Sequence, residues 1–161
     1  MKGRKHTMTT FCFDMDGTIA DLYAVENWLD ALRSFSDRPY REAAPMMNFS
    51  VLARQLNAAQ RKGAKLVIVS WTSKCCDPVF HANICMAKRN WLAEHLPSVH
   101  WDEIRIVPYG TNKAEVCGVD GDNFFLFDDE ERNRNEWEEL DGLAFNPSDI
   151  TEILKRFNRG K

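Results

Sequence analysis

The sequence predicts an α/β fold: a doubly wound, mostly parallel sheet with helices on both faces. Two observations carry this reading. Short apolar runs of strand length alternate along the chain with segments whose apolar residues recur at helical spacing, the βαβ alternation that builds a parallel sheet covered on both sides. Three of the apolar runs also end in polar clusters, and parallel strands bring such ends to one edge of the sheet, where ligands bind.

The elements follow in order. Thr9 to Asp14 reads as a near-continuous apolar strand, suited to a central, doubly covered position. Asp21 is placed to cap a helix over 22–35, with Val25, Trp28, Leu29, Leu32 and Phe35 at helical spacing. Residues 36–48, interrupted by Pro39 and Pro45, read as a loop and a candidate small lid. Phe49, Leu52, Leu56 and Ala59 restore the helical period, and Gly63 ends that helix as a C-terminal cap. Ala64 to Ser70 is a buried strand rich in β-branched residues, followed by a polar loop through Lys74. Ile84, Ala87, Trp91 and Leu92 mark a helix stopped by Pro97. Ile104 to Val107 is a short strand, Thr111 to Cys117 a brief helix, and Asn123 to Phe127 a strand ending in Asp128-Asp129. A charged helix over 131–140, a short strand Leu143 to Phe145 and a last helix capped by Ser148, with Ile150, Ile153, Leu154 and Phe157 on its apolar face, complete the chain.

Composition bounds the function. At 161 residues and 44% hydrophobic, the chain suits one globular domain with a sizeable core. A net charge of −3 argues against wholesale nucleic-acid binding. Five cysteines (Cys12, Cys75, Cys76, Cys85 and Cys117) with no CxxC support neither a disulfide framework nor a zinc ribbon, and point to a reduced, cytoplasmic protein. No secretory leader or membrane-spanning run is read. The basic ends, 1–8 and 159–161, read as flexible tails.

The polar clusters are Asp14, Asp16 and Thr18 after the first strand, Ser70, Thr72 and Ser73 after the second, and Asp128 with Asp129 after the fourth; Lys113 would reach the same edge. Residues i and i+2 of a strand face the same way, so Asp14 and Asp16 aim at one site, and Gly17 permits a sharp turn beside them. Like charges this close need a cation or a proton between them. Carboxylates without His or Cys suit a hard, oxygen-liganded cation, Mg²⁺ above all, and a lysine and hydroxyl facing it would clamp phosphoryl oxygens. Taken singly, each element has a plainer reading: the DxD as a turn, Lys113 as a surface lysine, Asp128-Asp129 as a cap of the charged helix.

Together these residues resemble the haloacid dehalogenase-like (HAD) superfamily of phosphatases and phosphotransferases. The matching stretches are Asp14-Met-Asp-Gly-Thr-Ile, the strand Leu66-Val-Ile-Val-Ser70, Lys113 in Gly110-Thr-Asn-Lys-Ala, and Phe125-Leu-Phe-Asp128-Asp129. The resemblance implies a Rossmann-like core. It implies Asp14 as nucleophile and Asp16 as general acid and then base. Thr18, Ser70 and Lys113 would bind phosphate. Mg²⁺ would be held by Asp14, the Asp16 backbone carbonyl and Asp129, with Asp128 an alternative or outer ligand. Asn133 falls where many relatives carry another acidic residue, and suits a helix surface.

About 54 residues separate Asp16 from Ser70 and about 43 separate Ser70 from Lys113, which leaves no room for a separate cap domain. The chain thus resembles the capless or minimally capped type, with an open site that admits a large substrate or is closed by another subunit. The expected activity is Mg²⁺-dependent phosphomonoester hydrolysis through an aspartyl-phosphate. The alternatives are a phosphotransferase with the same intermediate and a non-catalytic binding module. Trp71, Trp28 and Tyr23 lie near the motifs and suit stacking on a nucleobase, although Trp28 also fits the apolar helix face. The compact arrangement is similar to nucleotidase-like proteins and to the phosphatase domain of polynucleotide kinases. That implies a phosphorylated small molecule, a nucleotide or a nucleic-acid end as substrate.

Overall fold

The computed structural model describes residues 7–160; the basic positions Lys2, Arg4, Lys5, His6 and Lys161 lie outside the described residues. The strands are β1 (Thr10–Phe13), β2 (Ala20–Asp21), β3 (Ala44–Pro45), β4 (Lys65–Trp71), β5 (Glu103–Val107), β6 (Phe124–Phe127) and β7 (Leu143–Phe145). The helices are α1 (Trp28–Arg33), α2 (Arg38–Glu42), α3 (Phe49–Arg61), α4 (Pro78–His95), α5 (Lys113–Val116), α6 (Glu131–Glu139) and α7 (Ile150–Arg159). Five strands form a wholly parallel sheet in the order β5-β4-β1-β6-β7. The chain leaves β1 for β4 and β5 on one side, then crosses back to β6 and β7 on the other. The order therefore reverses at β1, and a crevice opens at its carboxyl end.

Alternation within the strands shows why both faces are covered. Phe11, Phe13, Leu66, Ile68 and Phe127 face one way and join Leu52 and Leu56 of α3, Trp91 of α4 and Leu154 of α7 in the larger core. Cys12, Val67, Val69 and Leu126 face the other way and meet Ala114 of α5, Val119 and Trp137 of α6. The apolar runs of β1 and β4 are continuous because these central strands are buried on both sides. Helix α3 begins at Asn48, whose side chain accepts from the N–H groups of Ser50 and Val51, and Gly63 follows it at φ +95°, the left-handed C-terminal cap the sequence predicts. Helix α4 starts at Asp77, which accepts from Phe80 N–H at 2.7 Å with Pro78 in the first turn.

Four local expectations are corrected. The helix predicted over 22–35 is broken: a 3₁₀ turn at Leu22–Ala24 precedes Asn27 at φ 55°, and only Trp28–Arg33 is α-helical. Asn tolerates the left-handed region, and the break lets Leu22 and Leu32 both pack against α4 while Leu29 and Phe35 stay exposed. Asp21 makes no side-chain capping bond. Residues 36–48 are not a loop: they hold α2, whose Tyr40 is buried against α4, and β3, which pairs antiparallel with β2. Pro39 sits in the first turn of α2, where its missing N–H costs nothing. Ser148 lies inside a second 3₁₀ turn, Pro147–Asp149, rather than capping α7, and α7 itself runs through Arg159. No described helix is long and apolar enough to cross a membrane.

Candidate active site

The carboxyl ends of β1 and β6, the turn after β1 and the start of α5 converge on one cavity of about 520 Å³. Asp14 directly follows β1, and its N–H bonds the Phe127 carbonyl at 3.0 Å, which extends the β1–β6 ladder by one step. The chain then turns back tightly: Thr18, Ile19 and Ala20 all donate to the Met15 carbonyl, and Gly17 takes φ +75°. A Cβ on Gly17 would collide with the Asp129 carboxylate and the Tyr23 ring. Gly17→Ala is therefore expected to displace Asp129 and to destabilise the protein by at least about 1 kcal/mol. A thermal melt checks this, and an unchanged midpoint would contradict the close approach.

Carboxylate oxygens of Asp14, Asp128 and Asp129 lie within 4.8 Å of one another. Lys113 Nζ bridges two of them, at 2.9 Å from Asp14 Oδ1 and 2.7 Å from Asp128 Oδ2. The lysine is almost wholly buried. Burial disfavours its charge, but the carboxylates of Asp14 and Asp128 outweigh that and hold its pKa above the ordinary lysine value. Asp128 is fully engaged. Its Oδ1 accepts from Glu130 N–H at 2.9 Å, and its Oδ2 accepts from Lys113 and from Asn133 Nδ2 at 3.1 Å. Burial and the Asp14 charge raise its pKa to about 6 despite Lys113. Asp129 lacks a cationic partner among the described residues, and burial together with the nearby Asp14 charge pushes it up to about 7. Thr18 is fully buried, with Oγ1 3.1 Å from Asp14 Oδ2 and 3.4 Å from Asp129 Oδ1.

The structure thus brings Asp14, Asp16, Lys113, Asp128 and Asp129 to the cavity, along with Thr72 and Ser73. Thr18 lies behind them against the carboxylates. Ser70 is fully buried, does not line the cavity and accepts a hydrogen bond from Lys88 at 2.7 Å. Asn133 is not on a helix surface; it is buried against Asp128. Trp28 is half-buried: it packs against the Leu22–Leu32 cluster and also lines the cavity, meeting Tyr23 edge-on at 5.0 Å between ring centroids. A second aromatic pair, Trp71 and Tyr109 at 4.8 Å, also lines the cavity. The Trp71 indole donates to the Thr111 carbonyl, and Lys113 Nζ sits 5.2 Å from the ring centre.

Sequence reasoning missed Lys88. It lies on α4, 1% exposed, and donates 2.7 Å to Asp16 Oδ2. The signal was a lysine in register with Ile84, Trp91 and Leu92, on the apolar stripe rather than the wet face.

No family model matches the sequence, and no curated protein matches it. Solved structures do. A protein from Mesorhizobium loti described as a HAD-like phosphatase is similar at 13% identity, with a TM-score of 0.63 over 94% of this chain and 87% of that one. D,D-heptose 1,7-bisphosphate phosphatase from Burkholderia thailandensis is similar at 13% identity and TM-score 0.58, over 92% and 97% of the two chains. The same-named enzyme from B. bronchiseptica, complexed with magnesium and phosphate, is similar at 15% identity and TM-score 0.53, over 85% and 79%. This protein shares the HAD-like fold of these structures: a parallel α/β core with no separate cap domain among the described residues, its acidic cluster at the carboxyl end of the central strand.

Proposed function

We propose that this chain is a Mg²⁺-dependent phosphomonoester hydrolase working through an aspartyl-phosphate at Asp14. One observation carries the reading: Asp14 lines the cavity with the Lys113 ammonium 2.9 Å from one oxygen and Asp129 beside it, without a cationic partner among the described residues. The donor set fits magnesium. It is all oxygen, and carboxylate oxygens of Asp14, Asp128 and Asp129 crowd within 4.8 Å of one another, where like charges need a counter-ion. Asp14 and Asp129 would hold the ion, with Asp128, which already accepts three hydrogen bonds from Lys113, Asn133 and Glu130, behind them. When bound, magnesium supplies neutralisation of phosphoryl charge. The magnesium and phosphate found in the heptose bisphosphate phosphatase support the same assignment.

The chain's own groups supply the rest. An Asp14 oxygen attacks phosphorus, the ester P–O bond breaks, and Asp16 protonates the departing oxygen. Asp16 then accepts a proton from the water that attacks the aspartyl-phosphate, which releases inorganic phosphate and restores Asp14. Lys113 neutralises Asp14 and the phosphoryl oxygens, and Asp128 fixes Lys113 in place. The substrate we infer is a nucleotide or a phosphorylated nucleic-acid end. The Tyr23–Trp28 and Trp71–Tyr109 pairs support it, because aromatic faces lining a phosphate site suit a stacked base. Free cysteines, Cys75 among them exposed, support a reducing, cytoplasmic setting.

The test is a phosphate-release screen over nucleotides, sugar phosphates and 3′- or 5′-phosphorylated oligonucleotides, with and without Mg²⁺. Metal-dependent release, greatest on base-bearing substrates, is expected; release from none of them contradicts the reading. Magnesium affinity should also follow pH. Below about 7 a proton competes for Asp129, so affinity should rise by up to about tenfold per pH unit towards pH 7 and then level off. Calorimetric titrations at pH 5.5, 6.5 and 8 check this, and a flat profile would remove Asp129 from the ligand set.

A further inference from the structure

We propose that Lys88 is a positioning residue that locks Asp16 in its proton-donating pose, an inference that rests on Asp16 acting as the general acid. An ammonium group has three N–H donors. Lys88 spends them on Asp16 Oδ2 at 2.7 Å, Ser70 Oγ at 2.7 Å and the Trp71 carbonyl at 2.8 Å. Its Nζ also sits 4.8 Å from the centre of the Tyr40 ring. The group is thus fixed by the end of β4, by α2 and by its own helix, and can occupy only one place. Asp16 inherits that fixity through Oδ2, while its carboxylate still lines the cavity.

Stability alone does not account for this arrangement. A lysine buried to 1% exposure carries a desolvation cost, and an apolar side chain of similar volume commonly serves a core as well or better. The fixed pose does answer a problem of the site. Asp16 lines the same cavity as Asp14 and Asp129, the carboxylates proposed to hold the cation. Untethered, its side chain could swing to that cation and no longer face the leaving oxygen. The tether pulls it to the β4 side instead. It also gives Ser70 a task that its absence from the cavity lining leaves open, as one of the three acceptors that aim Lys88.

The test separates positioning from packing by leaving group. Phosphoryl transfer from p-nitrophenyl phosphate needs no proton donor, because the leaving phenolate is already stable, whereas an alkyl phosphate such as a nucleoside 5′-monophosphate does. In Lys88→Met, kcat/KM for the alkyl ester should fall by about 10²-fold or more, and for p-nitrophenyl phosphate by less than about fivefold. The same change made in an Asp16→Asn background should cost little further on the alkyl ester, since the group being positioned is gone. Ser70→Ala, a milder change that keeps the lysine, should show the same selectivity at smaller size, and serves if Lys88→Met does not fold. Equal losses on both esters, or full additivity with Asp16→Asn, would overturn the proposal while leaving the phosphatase reading in place. A wild-type protein that cleaves neither ester would sink both.

Discussion

Asp14→Asn is expected to abolish phosphate release, with a loss of at least about a thousandfold, while leaving the fold intact. The substitution keeps the side chain's shape and removes only its charge and nucleophilicity. The amide oxygen can still accept from Lys113 Nζ, which sits 2.9 Å from Asp14 Oδ1, and Thr18 keeps its neighbour on the other side. Removing one of several crowded carboxylates also relieves repulsion that raises Asp128 and Asp129. Both should titrate lower in the variant, so the melting temperature at neutral pH should hold or rise. Inactivity with an unchanged or higher melting point is the signature of a lost nucleophile; full turnover of p-nitrophenyl phosphate with Mg²⁺ would end the aspartyl-phosphate mechanism.

Lys113→Met carries the largest expected cost to stability, about 3–5 kcal/mol, because it strips two buried carboxylates of their shared cation. The sign with pH is definite. Asp128 already titrates at about 6 in the folded protein, above its ordinary value, with Lys113 present. Without the lysine it should rise further, so the folded state binds more protons than the unfolded one and loses stability as pH climbs from about 4 through that raised value. Lys113 itself is charged throughout this range in both states. Denaturant unfolding at pH 5 and pH 8 should therefore find the variant closer to wild type at pH 5. Equal losses at the two pH values would mean that Lys113 stabilises by packing, not by charge.

The framework and the acidic cluster were legible because both rest on local patterns. Doubly buried strands write themselves as unbroken apolar runs such as Phe11–Phe13 and Leu66–Val69, and carboxylates at strand ends gather by topology alone. The division of labour between Asp128 and Asp129 was not legible. It depends on which of two adjacent side chains turns back to Lys113 and Asn133 and which lies open beside Asp14. Lys88 escaped for a related reason: a lone lysine on an apolar stripe means little until Asp16 and Ser70 are seen to meet it from residues far along the chain. The break at Asn27 was hidden by apolar residues at helical spacing, of which Leu22 and Leu32 pack with α4, Val25 packs against the larger core and Leu29 stays exposed.

The reversal of strand order at β1 also fixes when in folding the site can exist. Lys113 meets Asp14 across 99 residues of chain, and Thr18 approaches Asp129 across 111. Contacts so distant in sequence carry the largest loop-closure cost and form late. The β1–β4 half can assemble first, yet until β6 docks against the free side of β1, Asp14 lacks the Asp128 and Asp129 carboxylates beside it. The proposed site is thus complete only once β6 is in place, and a growing polypeptide that ends before β6 carries the whole leading motif without its acidic partners.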